Sequence, residues 1–248
     1  MSREIVNPIR QSVGIGLVAG LMFFTQPSAA QSTKAANPDL TGVFQSVPNS
    51  LTLPGGLKNE GSPEEVSLQP PAAAKARAAN FGEDPAKTCQ VIGPFRMMAR
   101  DENMIDIVPS PGTYRMFIFF KDFFLGNVRQ IFFDKRPAPK REFPAEDPGQ
   151  GDSFGHWEGD TLVVDTINFN EYTWLNSKWA PHSDALHLIE RYRLVGGGQY
   201  LEVKVTAEDP NVLTKPYTYT RYFQKVNTEL PQYLCTDDLV KPAIPGLE

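Results

Sequence analysis

Residue types that exchange protons or bind ligands are concentrated between Ser153 and Arg191. This stretch holds all three tryptophans and all three histidines of the chain, together with six carboxylates. Imidazoles titrate near neutral pH, carboxylates orient them, and indole rings offer apolar surface with one polar edge. Such a combination is typical of a ligand pocket or an acid–base site.

His182 is the strongest candidate for catalysis, because it lies in a predicted loop between Pro181 and Ser183, just before a predicted strand. A neighbouring carboxylate would fix its tautomer and raise its pKa, and an arginine would stabilise developing negative charge. The predicted catalytic set is therefore His182, Asp165, Glu190 and Arg129. The predicted substrate-binding set is Trp157, Trp174, Trp179, Arg136, Phe169 and Ser183.

Each of these residues also has a structural explanation. Asp165 shares a strand with apolar residues on both faces, so it is expected to be partly buried and could pair with Arg129 or Arg191. Glu190 has Arg191 beside it in sequence and could form an ion pair. His182 could be a rim residue whose ring is satisfied by backbone groups, and His187 is expected to be structural or solvent-facing.

Two more specific chemistries fit the pattern poorly. A zinc site formed by His182, His187 and Glu190 would need a helix to align its ligands, whereas this segment reads as a strand. Ser153 has the G-x-S-x-G spacing of a hydrolase nucleophile, but that motif works at a strand-to-helix elbow and nothing helical follows. We therefore predict neither a metal nor a cofactor.

The N-terminus predicts export. A basic start precedes an apolar run, 13–24, and Ser28-Ala29-Ala30 supplies the small residues that signal peptidase reads. We predict a signal peptide over 1–30 and a periplasmic or secreted protein, the alternative being an uncleaved anchor. Cys89 and Cys235 are the two cysteines of the chain. In an oxidising compartment they are expected to form one disulfide, although two buried thiols remain the alternative.

Composition excludes some partners. The formal net charge is −5 and no block of lysine and arginine occurs, so nothing indicates binding to nucleic acid or anionic lipid. No segment after the signal peptide is long and apolar enough to cross a bilayer as a helix.

The pattern of elements predicts a mainly β protein. Residues 31–85 read as an irregular N-terminal arm with an opening strand near 39–44 and one short helix over 72–80. Residues 86–248 read as strands rich in β-branched and aromatic residues with no helices between them, which favours an antiparallel meandering barrel of the lipocalin or calycin kind. The predicted strands are 104–108, 114–120, 128–133, 161–167, 185–194, 200–208 and 217–226. A loop over 134–154 is long enough to be a functional rim or lid.

The segment Gly155-His156-Trp157-Glu158-Gly159-Asp160-Thr161-Leu162-Val163-Val164-Asp165-Thr166 resembles a motif of a large group of exported bacterial proteins of unassigned function. The same resemblance covers Arg129–Arg136, Phe169-Asn170, Thr173-Trp174-Leu175, Pro181-His182-Ser183, Glu190-Arg191 and Asp209-Pro210, and also Asp39–Phe44 and Cys89. It implies a β-rich, barrel-like exported domain and no particular reaction. This chain departs from the pattern where two histidines are usual, at Ala138 and Asp152.

Two functions follow as hypotheses. The first is an enzyme, a lyase, isomerase or cyclase that uses acid–base chemistry on a hydrophobic or aromatic substrate inside a barrel. The second is a lipocalin-like carrier that holds the same kind of molecule without turnover. A purely architectural role for the polar cluster is the third possibility.

Overall fold

The computed structural model describes residues 37–80, 82, 84, 91–121, 128–134 and 149–231, and within them nine strands close into a barrel. The strands are β1 (Gly42–Ser46), β2 (Met104–Ser110), β3 (Arg115–Phe120), β4 (Val128–Phe132), β5 (Asp152–Glu158), β6 (Thr161–Ile167), β7 (His187–Val195), β8 (Tyr200–Glu208) and β9 (Tyr217–Val226). Two short helices, α1 (Pro70–Ala78) and α2 (Pro94–Met98), precede β2. The predicted mainly β, meandering barrel is confirmed, and α1 overlaps the predicted helix.

One strand pair departs from the predicted antiparallel order. β4 and β5 run parallel, with Ile131 opposite Ser153 and Phe132 opposite Phe154. A parallel pair requires the chain to return to the end of the sheet at which the first strand began. The long connection predicted as a rim or lid is therefore this crossover, and its residues 135–148 lie outside the described part of the chain.

The prediction that the barrel begins at residue 86 was also wrong, because β1 belongs to the segment predicted as an arm. β1 closes the barrel by pairing with both β2 and β9. Farther along β9, Glu60 takes the place of β1 and forms a bridge with Thr220. Val47 and Leu53 pack on the outward-facing Tyr222. The predicted signal peptide and both cysteines lie outside the described residues.

Strict alternation of side chains separates the inside of the barrel from its outside. Leu201, Val203, Val205 and Ala207 of β8 are each 0% exposed and point inward. Lys204, between them, is exposed. Each row of directly opposite residues shares one face, so the registers assign inward and outward positions around the whole barrel.

The two ends of the barrel differ. At the end that we call the turn end, short turns join β2 to β3, β5 to β6 and β7 to β8. At the opposite end, the helix end, α2 packs against inward-facing side chains. Tyr219 donates a hydrogen bond to the Phe95 carbonyl, and the two rings meet edge to face at 5.1 Å. α2 therefore covers part of the helix end.

Candidate functional site

A buried polar cluster lies inside the barrel and spans four neighbouring strands. Arg129 on β4 donates from Nη1 to Glu190 Oε1 on β7 at 2.8 Å, and from Nη2 to Glu190 Oε2. Its Nε donates to Ser153 Oγ on β5 at 2.9 Å, and Nη2 also donates to Thr166 Oγ1 on β6 at 2.5 Å. Tyr192 Oη donates to Glu190 Oε1 at 2.9 Å and lies 3.5 Å from Arg129 Nη1. We call these five residues the interior ion-pair cluster.

Strand register brings this cluster together. Ser153 lies directly opposite Thr166, and Val164 lies directly opposite Glu190, so these positions face the same lumen. Arg129 is 1% exposed and Glu190 is 0% exposed. A buried ion pair is tolerated only when its remaining donors and acceptors are bonded. All five N–H groups of the guanidinium have partners here, which meets that condition.

Arg129 and Tyr192 exchange no proton near neutral pH. Burial acts to lower the pKa of Arg129, but the adjacent Glu190 carboxylate outweighs it and the net pKa is raised. Burial, and then Glu190, raise the pKa of the Tyr192 hydroxyl well above its usual value. Arg129 therefore stays charged and Tyr192 stays neutral. Because every N–H group of the guanidinium is already hydrogen-bonded, the cluster forms a fixed polar patch on the inner wall of the barrel.

His182 lies elsewhere, buried at 2% exposure in the long β6–β7 connection. Its Nε2 is 2.7 Å from Thr173 Oγ1, its Nδ1 is 3.1 Å from the Ser183 carbonyl oxygen, and the edge of its ring meets Phe169. The expected pairing of His182 with Asp165 or Glu190 is not formed. Burial lowers the pKa of His182, with smaller opposing effects from the Ser183 carbonyl and Asp209. The ring is therefore a neutral, hydrogen-bonded part of the loop core.

Asp165 is on the outer face of the barrel, because Thr166, the next residue, points inward. Its side chain is 40% exposed, so Asp165 is partly buried as expected, but on the outside of the barrel. Asp165 Oδ1 lies 3.0 Å from His187 Nε2, and Oδ2 lies 3.8 Å from His156 Nδ1. His156 Nε2 also meets Glu158 at 3.2 Å. This is a solvated row of imidazoles and carboxylates on the surface.

The remaining predicted residues are dispersed. Trp157 points into the lumen near the turn end and is partly buried against the core. Trp174 and Trp179 meet edge to face at 6.2 Å in the β6–β7 connection. Ser183 donates to Asp209 from its backbone N–H at 2.7 Å and from its hydroxyl at 2.9 Å. Arg136 lies outside the described residues.

The structure thus brings together two members of the predicted catalytic set, Arg129 and Glu190, and separates both from His182 and Asp165. Sequence reasoning missed Thr166 and Tyr192 as partners of the ion pair. It weighed Ser153 only as a nucleophile, although Ser153 lies on β5, which leads into another strand and not into a helix. The sequence of β7 contained a signal for Tyr192. Glu190 and Tyr192 are two residues apart, so they face the same side of the sheet, whereas Arg191 and Arg193 face the other side.

Replacement of His182 by glutamine should flatten the pH dependence of stability. Burial holds the pKa of the folded-state imidazole below the ordinary histidine value of 6.5, so the unfolded chain takes up the proton first as pH falls. The contribution of His182 to the free energy of unfolding is therefore complete above the pKa of the unfolded-state imidazole. Below that pKa it is lost by about 1.4 kcal/mol per pH unit, for as long as only the unfolded state is protonated. Urea unfolding between pH 7.5 and 5, as rough limits, measures the loss in the wild type and in H182Q.

The matched control for this measurement is His187→Gln, because the His187 side chain is 32% exposed. It should retain the wild-type loss of stability at acidic pH. If the free energy of unfolding varied with pH equally in the wild type and in H182Q, the buried imidazole would not be the cause of the loss of stability at acidic pH.

Neither a metal-binding cluster nor a membrane-spanning helix occurs among the described residues. No three histidine, cysteine, aspartate or glutamate side chains among them are grouped so as to hold a metal ion. None of their helices combines the length and the apolar character needed to cross a bilayer.

Comparison with known proteins finds no matching family model and no matching curated protein. Among solved structures, the chain is similar to secretory abundant heat soluble protein 4 from Ramazzottius varieornatus, with 12% identity and a TM-score of 0.34 over 75% of this chain and 94% of that one. It is also similar to a secretory abundant heat soluble protein from the same organism, with 11% identity and a TM-score of 0.38 over 75% of this chain and 95% of that one.

Proposed function

We propose that this protein is a carrier that holds a hydrophobic or aromatic small molecule in the turn-end half of the barrel, above the interior ion-pair cluster. One observation carries the proposal: on β5 and β7, the inward-facing side chains are less buried toward the turn end. On β7, Leu188, Glu190 and Tyr192 are each 0% exposed, whereas Leu194 is only partly buried. On β5, Ser153 is 1% exposed and Trp157 is partly buried.

The chemistry of this half of the lumen favours an apolar guest. Its inward positions near the turn end include Met116, Leu162 and Leu194, with the indole of Trp157 beside them. Ligand pockets combine an apolar wall with a few fixed polar groups, and the ion-pair cluster supplies the fixed polar groups here. An aromatic wall gives contact area without requiring a charged partner.

The carrier is favoured over the enzyme because the candidate acid–base groups occupy three separate places. Arg129 and Glu190 are bonded to each other inside the barrel, His182 is bonded within a loop, and Asp165 is outside. General acid–base catalysis requires the base within hydrogen-bond reach of the substrate and of the group that orients it. Arg129 and Glu190 are the members of the predicted catalytic set that face the lumen, and their hydrogen bonds to each other, to Ser153, to Thr166 and to Tyr192 occupy the groups that a substrate would need.

Titration with the fluorescent hydrophobic probe N-phenyl-1-naphthylamine tests the proposal. We expect saturable binding of one probe per chain, accompanied by quenching of Trp157. Leu194→Arg places a charge on the inward face and should weaken binding at least about tenfold, since an unpaired charge in an apolar site is unfavourable. The control Gln224→Arg, on the outward face of β9 one row away, should bind as the wild type does.

Circular dichroism establishes that both variants fold, and Leu194→Trp, which fills the lumen without adding charge, replaces L194R if that variant does not. Absence of saturable binding, or equal binding by L194R and Q224R, would contradict the carrier. Mass spectrometry of an added aromatic ligand after long incubation should recover it unchanged. A new product whose formation is lost in H182Q would instead support the enzyme hypothesis.

A further inference from the structure

A cavity lies beside α2 at the helix end of the barrel. It has a volume of about 280 Å³, and its charged and polar walls come from five parts of the chain. We call it the helix-end pocket. Its lining residues include Ser62, Glu64, Arg96, Asp101, Ser177 and Arg221. That volume corresponds to roughly nine water molecules, enough for a small polar metabolite.

Arg221 is a buried cation without a counter-ion. It is 4% exposed, and no carboxylate of the described residues lies within 4.0 Å of its guanidinium. Its Nη1 donates to the carbonyl oxygens of Gly61 at 2.8 Å and Thr220 at 2.9 Å, and the guanidinium stacks over the Tyr219 ring at 4.9 Å. Its Nε has no partner. Burial lowers the pKa of Arg221, which reflects the cost of this isolated charge.

Two other arginines, one buried and one partly buried, are each paired with a carboxylate. Arg129 is bonded to Glu190 inside the barrel, and Arg96, in the wall of the same pocket, binds both oxygens of Asp84 at 2.8 Å. A buried charge is ordinarily paired, because an unpaired one is strongly unfavourable. Arg221 is thus set apart by lacking a carboxylate while lining a cavity that can admit one.

Glu64 supplies the complementary feature. Its Oε1 accepts hydrogen bonds from Ser177, from the backbone N–H at 2.9 Å and from the hydroxyl at 2.7 Å. Its Oε2 is enclosed by protein and has no hydrogen-bond partner. Glu64 and Arg221 do not satisfy each other, since no ion pair within 4.0 Å joins them. The pocket therefore holds one unsatisfied donor group and one unsatisfied acceptor group of opposite charge.

We propose that the helix-end pocket binds a free α-amino acid, whose carboxylate pairs with Arg221 and whose ammonium group pairs with Glu64. A single zwitterion satisfies both groups, whereas a dianion would face Glu64 and Asp101, both in the pocket wall. A guanidinium binds a carboxylate through charge-assisted hydrogen bonds, and a carboxylate accepts from an ammonium group in the same way. This site is independent of the proposed carrier site in the lumen.

Isothermal titration calorimetry with L-alanine, L-serine and L-leucine, and with acetate and methylammonium as half-ligands, tests the assignment. We expect at least one amino acid to bind at one site per chain and each half-ligand to bind at least tenfold more weakly. Arg221→Met, which keeps the stacking surface and removes the charge, should abolish amino-acid binding. Glu64→Gln, which can still accept from Ser177, should weaken amino-acid binding at least tenfold and leave acetate binding unchanged.

The matched control is Arg193→Met, because the Arg193 side chain is 45% exposed on the outer face of the barrel. It should bind amino acids as the wild type does. If R221M does not fold, E64Q alone decides the question. No binding of any amino acid, or acetate binding equal to amino-acid binding with no effect of E64Q, would overturn the assignment. Binding of N-phenyl-1-naphthylamine should be unchanged in R221M and E64Q, so failure of this site and failure of the lumen site are distinguishable.

Discussion

Replacement of Arg129 by methionine should lower the free energy of unfolding by about 3–5 kcal/mol, because it leaves the Glu190 carboxylate buried and uncompensated. Glu190 is 0% exposed, and its remaining partner among the described residues is the Tyr192 hydroxyl. The same substitution also removes the guanidinium donors from the Ser153 and Thr166 hydroxyls, which keep the hydrogen bond to each other at 3.1 Å. Urea or thermal unfolding followed by circular dichroism measures the loss.

An exposed ion pair provides the control. Arg193 and Glu202 lie 2.9 Å apart on the outer face, with the arginine side chain 45% exposed. Arg193→Met should cost no more than about 1 kcal/mol, as solvated pairs do. The double substitution Arg129→Met with Glu190→Leu should recover much of the stability, because it removes both buried charges. Similar losses for R129M and R193M would show that burial of the ion pair does not determine its effect.

Gly151→Ala should be the other strongly destabilising substitution. Gly151 has a φ of +65°, and an added Cβ would lie 2.7 Å from the Ile167 carbonyl oxygen and 2.8 Å from Thr166 Cγ2. A left-handed conformation costs an alanine about 1–2 kcal/mol relative to glycine. The contact with backbone adds about 1–3 kcal/mol, because neither strand end can move aside freely. The free energy of unfolding in urea measures the sum.

Gly159 separates the two contributions. Its φ is +63°, nearly that of Gly151, but an added Cβ would meet nothing within 4 Å. Gly159→Ala should therefore show the conformational cost alone, and the difference between the two variants should give the cost of the contact. If both variants lost the same stability, the close approach of β5 and β6 at Gly151 would have no energetic weight.

The fold was largely predictable because most strands have a clear strand signature in their local sequence. The predicted bounds of β6, β8 and β9 agree with the structure, since β-branched and aromatic residues fill these segments and glycines flank two of them. β5 was missed because Asp152–Glu158 mixes charged, aromatic and glycine residues without alternation. The parallel pairing of β4 with β5 is a tertiary feature, and no local pattern encodes it.

The site was predictable only in part. Arg129 and Glu190 were both selected, but each was assigned other partners, because 61 positions of sequence separate them. Parity along β7 carries the missing information: His187 and Glu190 are three residues apart and must face opposite sides of the sheet. Asp165 lies on the outward face of β6 and Glu190 lies on the inward face of β7. The two carboxylates are therefore on opposite sides of the sheet and cannot share one site with His182.

The parallel pair has a consequence for how the barrel assembles. It separates two runs of sequence-adjacent antiparallel strands, β2–β4 and β5–β9, whose contacts are more local and are expected to form early. β4 and β5 pair through only two residue pairs, so few backbone hydrogen bonds hold these two strands together. Arg129 spans this junction, reaching β5, β6 and β7 at once. A slip of one residue would turn the guanidinium to the outside, so its capture by Glu190 selects the correctly closed barrel over misaligned ones.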